Sequence, residues 1–300
     1  EKIYFLSLTK MKGDFFMNNE KNKKIWLEKV HTNLTLRNRS EATYYNYKSA
    51  IIRFLNFYDE KTIIKKLKEE DILIYLQQEY IGKEKSAETY NVCICAIRLL
   101  YLVCFNISLN RILLPNSKVK KRLPTILPKD TFLNIFNNED NLEHQCWLIL
   151  GFCCGLRVDE VATIKIENIY SKDHKLKVLG KGNKERFTIL PDVVIKALRA
   201  FYKEKKYTHK TGYLFKGINN REYINNKTII NYFTSLKKKY NLNDNITFHS
   251  LRHSFATYYL MNGGSLLSLQ SMLGHQCLSS TIIYIHISQN FNELEGIKYV

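Results

Sequence analysis

From residue 17 to about 112, apolar residues return every third or fourth position, the spacing that lines one face of an α-helix. In E-A-T-Y-Y-N-Y-K-S-A-I-I-R-F-L-N-F-Y the stripe is Tyr44, Tyr47, Ile51, Phe54, Leu55 and Tyr58. Ser40 stands just ahead of it, where a hydroxyl can accept from the unpaired N–H groups of a first helical turn. K-E-E-D-I-L-I-Y-L-Q-Q-E-Y predicts a second helix. Ser86 opens a third, with Tyr90, Ile94, Ile97, Leu100, Tyr101 and Val103 along it. The basic stretch Lys61–Lys68 reads equally as loop or helix. The pattern is that of a small helical bundle with basic residues among aromatic ones.

The periodicity breaks between Pro115 and Pro128. N-S-K-V-K-K-R-L-P-T carries Lys118, Lys120, Lys121 and Arg122 without an acid, and Pro115 and Pro124 flank that run, which suits an extended linker. It can lie along a phosphate backbone or serve as a solvated hinge. Helical spacing resumes at Leu127, with helices predicted at 195–202, 227–240, 249–261 and 266–273. Between them H-K-L-K-V-L-G and E-R-F-T-I-L-P alternate in the manner of strands around G-K-G-N-K, which predicts one hairpin. The chain is therefore mainly α with a small β-hairpin or sheet. Its expected divisions are a tail of uncertain origin (1–16), a helical bundle (17–114), a basic linker (115–126) and a second domain (127–300). Met11 and Met17 both lie downstream of the first residue. The opening segment thus reads as non-native, as translated upstream sequence or as a frayed tail.

At 300 residues and 45% hydrophobic, each half can build a core. Charge adds more: 46 Lys and Arg against 28 Asp and Glu leave a formal +18. That excess suits a polyanion, because each phosphate met by Lys or Arg releases counterions. An AT-rich genome spending lysine on solvated faces gives the same balance. No apolar run reads as the roughly 18 residues that cross a bilayer, and the first ten residues are too polar for a secretory h-region. Seven cysteines lie mostly on apolar faces and form no C-x-x-C ligand set, as expected of thiols in a reducing cytoplasm.

Candidate chemistry concentrates in the second half. His275 precedes Tyr284 by nine residues, and upstream T-F-H-S-L-R-H-S-F-A-T sets His249 three residues before Arg252. Tyrosine, with a free pKa of roughly 10, is a poor nucleophile. It becomes useful where fixed cations hold developing phosphorane charge and a base takes its proton. Two cations on one helical turn fit that need, and Thr247 suits the N-cap of their helix. His253, next to Arg252, reads as a packing histidine pointing elsewhere. In G-F-C-C-G-L-R-V-D-E-V, Gly155 allows a tight backbone before Arg157, and Glu160 shares Arg157's helical face and can hold its guanidinium. Lys181, between the glycines of the hairpin turn, can carry a mobile ammonium to a leaving oxygen, although a plain turn gives the same pattern. Lys184 and Arg186 read as phosphate contacts or solvated cations.

These motifs together, G-L-R-V-D-E-V, L-G-K-G-N-K-E-R, T-F-H-S-L-R-H-S-F-A-T, L-G-H and Tyr284, resemble the tyrosine recombinases and integrases, particularly the short Xer-like members. The resemblance covers the C-terminal domain and, more loosely, the bundle. It implies a SAM-like core-binding bundle followed by an α+β catalytic domain. It implies a catalytic set of Arg157, Lys181, His249, Arg252, His275 and Tyr284, with Glu160 in support. Phe248 stands where such enzymes often have proline. The implied reaction needs neither metal nor nucleotide cofactor: Tyr284 forms a 3′-phosphotyrosyl link at specific double-stranded DNA sites, and a homotetramer exchanges strands through a Holliday junction. The two domains would close on the duplex as a clamp, with phosphate contacts from Lys118, Lys120, Lys121, Arg122, Lys184 and Arg186. The tail with Phe291, Leu294 and Ile297 would dock on a neighbouring protomer or on its own domain. A type IB topoisomerase and an inactive DNA-binding regulator are the rival readings.

Overall fold

The computed structural model describes residues 17–119, 123–180, 184–218 and 221–295, with side chains described through Ser288. The chain divides into two compact units, Glu1–Lys121 and Arg122–Val300.

The first unit is built from α1 (Glu20–Leu36), α2 (Glu41–Asn56), α3 (Glu69–Leu76) and α4 (Ala87–Phe105). Side chains of Asn19, Ser40 and Ser86 accept backbone N–H groups in the first turns of α1, α2 and α4. α4 packs against α1 and α2. Aromatic rings meet edge to face at the centre, with Phe54 5.1 Å from Tyr75 and Trp26 5.2 Å from Phe105. The second predicted helix is interrupted. α3 gives way at Gln77 to a wider turn through Ile81, closed by Gly82 N–H on Gln77 O at 2.7 Å. On an α-helix Tyr75 and Tyr80 would stand about 140° apart. The wider turn lets both stay buried. Between α2 and α3 the basic Lys61–Lys68 stretch forms a short 3₁₀ turn, Ile64–Lys66. One expectation is corrected here: α4 is long and apolar enough to cross a bilayer. Its Cys93, Ile94, Ile97, Leu100 and Tyr101 are instead buried in the bundle's core.

The second unit begins with α5 (Lys129–Asn137), α6 (Leu142–Cys154) and the short α7 (Val158–Ala162). A three-stranded antiparallel sheet follows: β1 (Ile169–Tyr170), β2 (Lys175–Leu179) and β3 (Glu185–Ile189), in that order. The predicted hairpin thus gains a strand, since Ile169 pairs with Leu176 and leaves β2 central. In the β2–β3 ladder Val178 faces Arg186 and Leu176 faces Thr188. Then come α8 (Asp192–Glu204), α9 (Asn226–Lys239), α10 (Phe248–Met261), α11 (Leu266–Leu273) and α12 (Ser279–Glu295). The main core gathers Trp147, Leu150, Leu198, Phe201, Phe215 and Leu251. A smaller cluster joins α10, α11 and α12 through Phe255, Leu269, Leu273, Tyr284 and Ile287. α10 thus passes between both cores, and its polar residues are held where two packed faces meet. Ser254 Oγ adds a tie, accepting Leu127 N–H at 2.7 Å and donating to Leu127 O at 3.0 Å.

Candidate active site

The site starts from a turn that only glycine fits well. Gly155 ends α6 at φ +66°, and a Cβ there would lie 2.4 Å from Phe255 Cδ1. The turn delivers Arg157 to the start of α7. Glu160, one turn on, accepts the Arg157 backbone N–H at 2.7 Å and its Nη1 at 2.9 Å. Its buried carboxylate also takes Arg186 Nη1 and Nη2, both at 2.8 Å, and lies 3.6 Å from Arg252 Nη1. Burial alone would raise the pKa of Glu160. The hydrogen bonds and charge of Arg186, the Arg157 amide and the Arg252 charge outweigh it and hold the carboxyl below its ordinary value.

Arg252, fully buried on α10, donates from Nη1 to Gly155 O at 2.7 Å and from Nη2 to Leu273 O at 2.5 Å. Burial and the neighbouring Arg157 lower its pKa, yet a guanidinium stays protonated at neutral pH. Its Nη2 also lies 3.4 Å from His275 Nε2. Arginine can only donate, so that nitrogen accepts and the His275 proton belongs on Nδ1, which faces Thr281 Oγ1 at 3.0 Å. His275 sits just after Gly274, which ends α11 at φ +66°. A Cβ on Gly274 would meet Arg186 Cδ at 2.9 Å. Burial first, then Arg252 and Arg157, push the His275 pKa down to about 4.

Tyr284 stands on α12 with 3% of its surface exposed. Its ring lies parallel to that of His275, centroids 6.4 Å apart. Burial raises its pKa, and Arg252 and Arg157 temper the rise. The nitrogen bonded to its hydroxyl is Nδ1 of His253, at 2.8 Å. That corrects the reading of His253 as a side chain pointing elsewhere. Its ring meets His249 edge to face at 4.6 Å. The signal was present in the sequence, since His249 and His253 are four apart and share a helical face. His249 itself is exposed, and its pKa is lowered by desolvation, then by Arg252 and Arg157.

Arg157, Glu160, His249, Arg252, His275 and Tyr284 are therefore brought together. Arg186 joins them, against the expectation of a phosphate contact or solvated cation. Its side chain is 8% exposed, and Nε donates to Met272 O at 2.7 Å. The alternation of β3 explains this: Arg186 shares a face with the buried Thr188, and Leu190 follows in the same phase. Lys184 is exposed just ahead of β3, and Lys118 is exposed in the other unit. Lys181, Lys120, Lys121 and Arg122 lie outside the described residues, and Phe291, Leu294 and Ile297 lie outside the described side chains. The assembled groups offer three guanidiniums gathered on Glu160, neutral imidazoles and a phenol. These suit capture of a phosphodiester and attack on it by an alcohol.

Residues 126–290 match the profile of the phage integrase family, and residues 26–108 match that of the phage integrase N-terminal SAM-like domain. A tyrosine recombinase of Thermosipho africanus is 27% identical over 276 residues, covering 88% of this chain and 94% of its own length. The tyrosine recombinase XerD of Staphylococcus epidermidis is 32% identical over 190 residues, 60% of this chain and 63% of XerD. Among solved structures, the XerH site-specific recombinase bound to a palindromic difH substrate, a post-cleavage complex, superposes with a TM-score of 0.71 at 21% identity. The match covers 87% of this chain and 81% of that one, and at that identity it speaks for the fold alone.

Proposed function

This chain belongs to the phage integrase family of tyrosine recombinases, and we propose that it cuts and rejoins double-stranded DNA at specific sites through a covalent bond to Tyr284. The gathering of Arg157, Arg252, His249 and His275 about Tyr284 carries the reading. The Tyr284 oxygen attacks the scissile phosphorus. A 3′-phosphotyrosyl bond forms as the bond to the 5′ oxygen breaks. The tyrosine proton passes to His249 as general base, and Lys181 supplies a proton to the departing 5′ oxygen. Arg157 and Arg252 hold the non-bridging oxygens, and His275 donates to one of them once its proton has moved from Nδ1 to Nε2. A 5′-hydroxyl from a partner strand reverses the step, so the phosphodiester energy is conserved without a nucleotide. Four protomers on paired sites would complete the exchange through a Holliday junction. Lys118, Lys120, Lys121, Arg122 and Lys184 would contact phosphates and set the register of the duplex. Integration and excision, transposition and dimer resolution all fit this chemistry, and we place the reaction in the cytoplasm.

The test is a suicide DNA substrate nicked beside the cleavage point. Wild type should accumulate a covalent protein–DNA adduct, and Tyr284→Phe, which removes only the oxygen, should bind the same DNA without forming it. Adduct formation by both would remove Tyr284 from the reaction.

A further inference from the structure

We infer that His253 is a positioning residue for the nucleophile: its Nδ1 accepts the Tyr284 hydroxyl and fixes the attacking oxygen in the site. The inference rests on the reading of Tyr284 as nucleophile and adds a residue outside the set that contacts phosphate.

Geometry carries the argument. The Nδ1 to Oη distance is 2.8 Å. Tyr284 is buried among Phe255, Leu269, Leu273 and Ile287, so its hydroxyl cannot rely on solvent for a partner. A phenol so enclosed loses free energy unless a protein group bonds it. Its ring lies parallel to His275 on one side, and His253 holds its far end. His253 is itself rigidly mounted. It stands in mid-α10, next to the fully buried Arg252 and Ser254, between the two cores.

The protonation state agrees. Burial first, then the charges of His249, Arg252 and His275, push the His253 pKa down to about 3. The ring is neutral under ordinary conditions, with an acceptor lone pair to offer the phenol. Such a ring is a weak base. The two histidines of α10 thus divide the work: His253 holds the hydroxyl until the phosphate is engaged, and the hydroxyl then turns its one proton from His253 to His249, one turn earlier and more exposed.

The prediction is specific to one nitrogen. An asparagine amide places its oxygen near the position of Nδ1, whereas a glutamine amide reaches toward that of Nε2. The measurement is single-turnover formation of the covalent adduct on the nicked substrate, with gel-shift affinity recorded beside it. His253→Phe should slow adduct formation by about 10², the scale of a misplaced reacting group, while DNA affinity holds. His253→Asn should recover most of that loss, His253→Gln should not, and the pH–rate profile of His253→Asn should keep the native shape. Equal rates in all variants, or Asn as slow as Phe, or a pH profile flattened by Asn, would overturn the positioning role. Should His253→Phe unfold, Asn against Gln decides alone. If Tyr284→Phe also forms adduct, the assignment of the nucleophile has failed; if only His253→Phe matches wild type, the positioning role alone has failed.

Discussion

Replacing Glu160 by Gln keeps the shape of the side chain and removes the charge that three arginines share. The carboxylate is 5% exposed, Arg186 is 8% and Arg252 is 1% exposed, so two guanidiniums would be left buried without a counter-ion. Arg157, at 37% exposed, is screened by water and contributes little to stability. Breaking a buried pair from one side costs roughly 3–5 kcal/mol, and the amide oxygen, which still accepts one hydrogen bond, favours the lower end. At about 2–4 °C per kcal/mol for a unit of this size, about 3 kcal/mol lowers the melting midpoint by roughly 6–12 °C. Circular dichroism of the full chain should record that drop in the transition of the second unit. Arg186→Met in the Glu160→Gln background should recover part of it, because the pair is then removed from both sides. The same substitution releases the grip on Arg157, so adduct formation on nicked DNA should fall while gel-shift affinity persists. A Glu160→Gln protein melting within about 2 °C of wild type, on that same scale, would refute the view of Glu160 as the charge on which the site is assembled.

Arg252→Lys keeps a cation but loses the fork that spans Gly155 O and Leu273 O. Single-turnover cleavage should fall about 10²–10³, and a wild-type rate, or a loss matched by weaker binding, would dismiss a transition-state role. Neutralising Lys118, Lys120, Lys121 and Arg122 together should flatten the slope of log affinity against log salt, by about 0.9 for each phosphate that no longer meets a cation; an unchanged slope would take the linker out of the interface. His253 and His275 titrate at about 3 and about 4 in the fold, below roughly 6.5 in an unfolded chain. Unfolding therefore takes up protons below pH 6.5, so their contribution is complete above that value and is lost as pH falls toward 4 and then 3. The melting midpoint should decline between pH 7 and 5, as that window implies, and less steeply in His275→Asn; parallel slopes would contradict the assignment.

Local signals in the sequence located the helices well. The apolar stripe and Ser40 place α2, and the helix predicted at 249–261 is Phe248–Met261. Such elements are legible because period, caps and breakers act within a few residues of one another. The hairpin was visible for the same reason, whereas β1 was not: two residues carry no period, and Ile169–Tyr170 is a strand only because β2 offers an edge. The order of Arg157, His249, Arg252, His275 and Tyr284 is likewise a property of the sequence. Their company is a property of the fold. Arg186 reaches Glu160 across 26 positions because β3 turns that side chain inward. His253 meets Tyr284 across 31 positions because α10 and α12 pack together. Gly274 is required partly because the Arg186 side chain crosses it. A sequence shows which groups a helix or strand presents and on which face. Which buried charge is neutralised by which partner, and which nitrogen receives a given hydroxyl, is settled only when packing brings distant segments within hydrogen-bonding distance and removes the water that would otherwise serve.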